Sequence, residues 1–185
     1  MSFNALVVPE DPTYNGYILK PLVVRLLEAC GKPNARVDVL ANPRARGYEH
    51  AKSLLRGGLL DRYRHMDLLL FLVDADGKDR TGEFQALEQE AADRGARLLC
   101  CAAQHEVEVW LLAGHREKLG AGWQDVRAEV SVKERFFEPF LRDHGSVRAA
   151  GGGREPLMRE TLTNYGALLR LCPELAELES RIRSI

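Results

Sequence analysis

The chain has 185 residues, 45% of them hydrophobic, and a formal net charge of −1. That length and apolar content support one full core and exclude a disordered chain, and the near-neutral charge excludes a strongly basic nucleic-acid binder. No apolar run reaches membrane-spanning length and the amino terminus lacks a signal-peptide pattern, so the chain reads as cytoplasmic, without membrane association.

The elements alternate along the chain. Residues 5–9 (ALVVP) read as a short strand. Residues 18–30 read as a helix with Leu19, Leu22, Val23, Leu26 and Leu27 on one face and Gly31 as its stop. Pro21 is then expected in the first turn, where a missing N–H is tolerated. Residues 36–40 (RVDVL) read as a second strand, and residues 48–60 as a weaker helix interrupted by Gly57 and Gly58. Residues 67–73 (DLLLFLV) are a third strand whose unbroken apolar run implies burial on both faces. Residues 83–94 read as a helix ended by Gly95, residues 97–103 (RLLCCAA) as a fourth strand, and residues 107–113 as the opening of a helix.

This order predicts an α/β fold with a mostly parallel, doubly wound four-stranded sheet flanked by helices. Residues 1–115 form that α/β unit. Residues 116–185 form a helical extension, with helices over 132–143, 155–171 and 173–182, a Gly-rich loop over 145–153, and either packing against the sheet or a role in docking. Cys30, Cys100, Cys101 and Cys172 lack metal-ligand spacing and read as buried free thiols.

In a parallel sheet the carboxyl ends of the strands share one edge, where ligands bind. Glu10 and Asp11 follow the first strand, Asp74 and Asp76 the third, and Glu106 and Glu108 the fourth. Two carboxylates ~4 Å apart repel by about 4 kcal/mol at an effective dielectric of ~20. Hard oxygen donors from several elements suit Mg²⁺ or Mn²⁺. Beside this acidic middle, residues 1–66 carry ten Lys/Arg against six Asp/Glu, with Arg44 and Arg46 at the start of a basic stretch. Basic residues beside an acidic edge suit a polyanion held near metal ions, and equally an ordinary solvated helix face. His105 at the same edge reads as a hydrogen-bonded structural histidine, and Trp110 as a core anchor.

VPEDPTYNGYILKPLV, FLVDADGKDR and QHEVEVWLLAG together resemble the Toprim-type nucleases of the OLD and RloB-like group. The resemblance implies a Toprim-like fold and metal-dependent phosphodiester hydrolysis of DNA or RNA. It implies Glu10, Asp74, Asp76 and Glu108 as metal ligands and Glu10 as ligand or general base. Lys133 is then a candidate catalytic cation, and Lys78, Arg80, Arg44 and Arg46 are candidate substrate contacts. The group commonly works with an ATPase, and this chain has no nucleotide-binding loop of its own, which implies an ATPase partner and a role in phage defence or nucleic-acid processing. Relatives carry a second glutamate four positions after the first; here that position is Tyr14. Two other readings stand beside this one. A non-catalytic interaction subunit would keep the fold. Asp74-Ala75-Asp76-Gly77 also resembles the nucleophile motif of haloacid-dehalogenase-type phosphatases, although two β-α units precede it.

Overall fold

The computed structural model describes residues 2–185. Four strands, β1 (Asn4–Pro9), β2 (Arg36–Val39), β3 (Leu68–Asp74) and β4 (Leu98–Ala103), form an all-parallel sheet in the order β2-β1-β3-β4. The chain leaves β1 toward β2 and returns on the other side to β3. The strand order therefore reverses between β1 and β3, the crevice where open α/β sheets bind ligands.

The sequence of β3 explains its central place. Leu68 to Val73 are all buried. Leu68, Leu70 and Leu72 enter one hydrophobic cluster, while Leu69, Phe71 and Val73 enter the other. The period of two thus feeds both faces at once. Cys100 and Cys101 likewise point to opposite clusters, and all four cysteines are buried and free.

On one face lie α2 (Tyr48–Leu54) and α4 (Thr81–Asp93), through Tyr48, Ala51, Leu87 and Ala91. On the other lies α1 (Gly16–Ala29), with α5 (Glu108–Leu112), α8 (Arg154–Leu162) and α10 (Pro173–Arg183) in the same cluster. Here α8 packs on α1, and α10 packs on β4. The carboxy-terminal helices therefore close a core that α1 alone leaves open on that face.

Several expectations are corrected. Helix α1 starts at Gly16, so Pro21 lies inside it and beyond its first turn. The cause is the turn ahead of it, where Ile18 N–H reaches Asn15 O at 3.0 Å and winds the helix early. The interruption expected at Gly57 and Gly58 is present: Gly58 takes φ 140° and kinks the chain between α2 and α3 (Leu60–Arg62). The single helix expected over 155–171 is two, α8 and α9 (Tyr165–Leu171). Thr163 Oγ1 donates to Glu160 O, and the Asn164 side chain accepts from Ala167 N–H as the cap of α9. Helix α6 (Trp123–Ala128) has no counterpart in the sequence reading, and α7 (Glu138–His144) is entered through a π-type turn over Lys133–Phe137. Among the described residues no helix is long and apolar enough to cross a membrane.

The outer edge of β4 is closed by side chains. Cys100 N–H donates to Glu88 Oε1 at 2.7 Å, and Arg181 donates to Cys100 O at 3.3 Å. Arg181 and Glu88 pair with each other at 2.6 Å. One ion pair thus satisfies backbone groups that would otherwise invite another strand.

Candidate metal and phosphate site

Parallel pairing sets the first contact. Pro9 stands opposite Leu72, so the residues just beyond β1 meet the end of β3. There the Glu10 carboxylate accepts from Asp74 N–H at 2.9 Å. Asp74 Oδ1 in turn accepts from Val107 N–H at 2.8 Å, which ties β3 to the start of α5. Glu108, the first residue of α5, is only 3% exposed. Glu106 accepts from Lys133 N–H at 2.7 Å, which draws the turn before α7 to the same edge.

The segment after β3 is held by backbone bonds to the end of β4 and the residues just past it. Ala75, Asp76 and Gly77 N–H groups donate to Ala103, His105 and Gln104 carbonyls at 3.0, 3.2 and 3.3 Å. Asp76 takes φ 51° and Gly77 φ 68°, a left-handed pair that turns the chain sharply. Aspartate tolerates that region better than most residues.

Burial and mutual repulsion dominate the electrostatics. Burial, then the nearby Glu10 and Glu108 charges, push the Asp74 carboxyl up to about 8, against the opposing Val107 N–H. Burial likewise pushes Glu10 up to about 7, against the Asp74 N–H. Glu108 and Glu106 are also raised, chiefly by burial. Acidic groups so placed hold protons near neutrality unless a cation offsets their charge.

The candidate residues do not all converge. Asp76 is exposed and pairs with Arg80 at 3.4 Å. Arg80 itself is buried, lies 3.5 Å from the Tyr48 ring centroid and donates to Asp74 O at 3.3 Å. Its donors brace the Asp74–Asp76 segment from behind. Lys78 is exposed on the same loop. Arg44 and Arg46 are exposed on the loop before α2; Arg44 approaches Asp11 at 3.8 Å, and Gly47 N–H reaches Glu10 O at 3.2 Å. Lys133 is half-buried beside Glu106 and Glu108 and opposes the rise in both their pKa values. Glu10, Asp74, Asp76 and Glu106 thus each keep a separate partner. Accordingly, among the described residues no group of three or more His, Cys, Asp or Glu could hold a metal ion as the side chains stand.

Trp110 is fully buried and donates Nε1–H to Glu174 Oε1 at 2.9 Å, so it anchors the core. His105 departs from expectation. Its Nδ1 is buried and lacks a hydrogen-bond partner among the described residues. Sequence reasoning also missed Arg154. Its guanidinium lies 4.4 Å from the Tyr14 ring centroid and 5.3 Å from that of Phe137, and it opposes the rise of the Glu108 pKa. The signal was the run Gly151–Gly153 just ahead of it. All three take positive φ, and a Cβ at Gly153 would meet the Gly145 and Ser146 backbone. That packing is what places the start of α8, and with it Arg154, at the carboxylate edge. Comparisons with protein-family models, curated proteins and solved structures give no match.

Proposed function

We propose that this chain is a Toprim-type, divalent-metal-dependent nuclease that hydrolyses phosphodiester bonds in nucleic acid. One observation carries the reading. Glu10, Asp74 and Glu108 come from three elements to one sheet edge, Glu10 and Asp74 partly buried and Glu108 buried, each with its pKa raised. The donors to Glu10 and Asp74 are backbone N–H groups. Hard oxygen donors whose charge nearby cations offset only in part fit Mg²⁺ or Mn²⁺ by chemistry, although rotation of Asp76 away from Arg80 is needed for it to join them.

Glu10, Asp74, Asp76 and Glu108 would hold the ion. When bound, such an ion polarises a phosphoryl oxygen and acidifies water. Glu10, with its pKa near 7, suits a general base at neutral pH. Lys133 supplies positive charge beside Glu106 and Glu108, and exposed Lys78, Arg44 and Arg46 surround the crevice for backbone phosphates. With a net charge of −1, unaided grip on a polyanion is small, which supports an ATPase partner.

The test is a cleavage screen across DNA and RNA with Mg²⁺ or Mn²⁺. Cleavage is expected and Asp76→Asn should abolish it while leaving the melting temperature in place. Cleavage retained by folded Asp76→Asn would sink the mechanism.

A non-catalytic interaction subunit is the second reading. Tyr14 at the position of a second glutamate favours it, as does the lack of a ready-closed metal group among the described residues. Thermal stabilisation by Mn²⁺ without cleavage of any substrate would select it. The phosphatase reading has less support, because its nucleophile, Asp74, is largely buried and holds the Val107 N–H.

A further inference from the structure

We propose that Arg154 is a phosphate-binding residue, with Tyr14 as the platform that orients it. The idea rests on the reading of the crevice as a phosphoryl-transfer site, and it adds a residue and a ligand contact to that reading.

Three elements carry the argument. Tyr14 follows Glu10 by four residues, Phe137 follows Lys133 by four, and Arg154 opens α8. The segments that bring Glu10 and Lys133 to the sheet edge therefore also bring two aromatic rings to one guanidinium. Tyr14 is 50% exposed, so this stack lies at the surface. A guanidinium on an aromatic face keeps its in-plane donors free for a second partner. Among the described residues, the hydrogen bond that Arg154 makes through its guanidinium runs from Nη1 to Gly151 O at 2.9 Å, and Nε is buried without a partner. An arginine serving only as a bolt between helices would spend its donors on the protein, as Arg80 does. Arg154 does not. Planar, forked donors beside buried carboxyls match the oxygens of a phosphate. Tyr14 also fits this view. A carboxylate in its place would pair with Arg154 and occupy the donors.

The test uses the full ¹⁵N-labelled chain in EDTA, with the Arg154 Nε–H resonance assigned through Arg154→Lys. Two probes are titrated, inorganic phosphate and the tetranucleotide d(TTTT), which contains only diesters. A shift of that resonance with d(TTTT) is expected. Affinity should fall about tenfold in Arg154→Gln and several-fold in Tyr14→Leu, with partial rescue in Arg154→Lys. A shift with inorganic phosphate alone also supports the site and assigns it to a monoester. No shift with either probe, or equal affinity in wild type and a folded Arg154→Gln, overturns the proposal. Mn²⁺ affinity is measured on the same variants. Loss of Mn²⁺ binding by the wild type would defeat the metal reading alone, since the phosphate titration contains no metal.

Discussion

The Glu10 carboxylate accepts the backbone N–H of Asp74 at 2.9 Å, so an acid from β1 is bonded to the residue that carries an acid on β3. That bond, with β1 paired to β3, holds the two side chains at the switch point of the sheet. Their carboxyls stay close while burial strips away the water that would screen them. The arrangement is unfavourable on its own, and a bound cation would relieve it.

A pH dependence follows. Both folded-state pKa values are raised, to about 7 for Glu10 and about 8 for Asp74. Between pH ~4 and ~8 the folded state therefore binds more protons than the unfolded state, and stability falls as pH rises through that window. In EDTA these two groups should lower the melting temperature by on the order of 10 °C between pH 5 and pH 8. Saturating Mn²⁺ should flatten the slope. Thermal melts across that range check both.

Asp74→Asn should stabilise the metal-free protein. Asparagine keeps an oxygen for the Val107 N–H and removes one of the repelling charges. The expected gain is on the order of a few kcal/mol at pH 8, shrinking toward pH 5 where the native acid is already neutral in the folded state. Denaturant titrations at the two pH values measure it. Equal or lower stability than wild type at pH 8 would contradict the electrostatic account.

Gly114→Ala should destabilise the fold without touching the site. Gly114 follows α5, and a Cβ there would overlap the side chain and backbone of Thr161 on α8. Thr161 cannot yield easily, since it is buried and its hydroxyl donates to Leu111 O at 2.6 Å. The expected cost is about 1–3 kcal/mol, read from the urea midpoint.

Glu88→Ala should cost about 1–3 kcal/mol, because it leaves the Cys100 N–H on the edge of β4 unpaired and strips Arg181 of its partner. Increased self-association is expected from the uncovered edge. Sedimentation of wild type and variant side by side checks it.

Much of the frame was legible because it is local. The apolar run of β3, Gly31 and Gly95 as helix stops, and the acids just past β1, β3 and β4 are all readable from residue order. The fine structure of the site was not. Whether Asp76 faces a metal or Arg80 depends on a left-handed turn fixed by carbonyls of residues 103–105. Arg154 reaches the edge only because three glycines allow α8 to start against Gly145 and Ser146, a contact across chain segments. The break at Thr163 and Asn164 rests on side-chain bonds to Glu160 O and from Ala167 N–H, which the residue types permit but do not require. Pro21 was misplaced because the helix starts on a backbone turn at Tyr14–Ile18 that carries no capping side chain.

The most direct test of the central claim is calorimetric titration of the metal-free protein with Mn²⁺, alongside Asp74→Asn. The account predicts saturable binding by the wild type and its loss in the variant, with both proteins folded. No binding by the wild type, or equal affinity in the two, would contradict it.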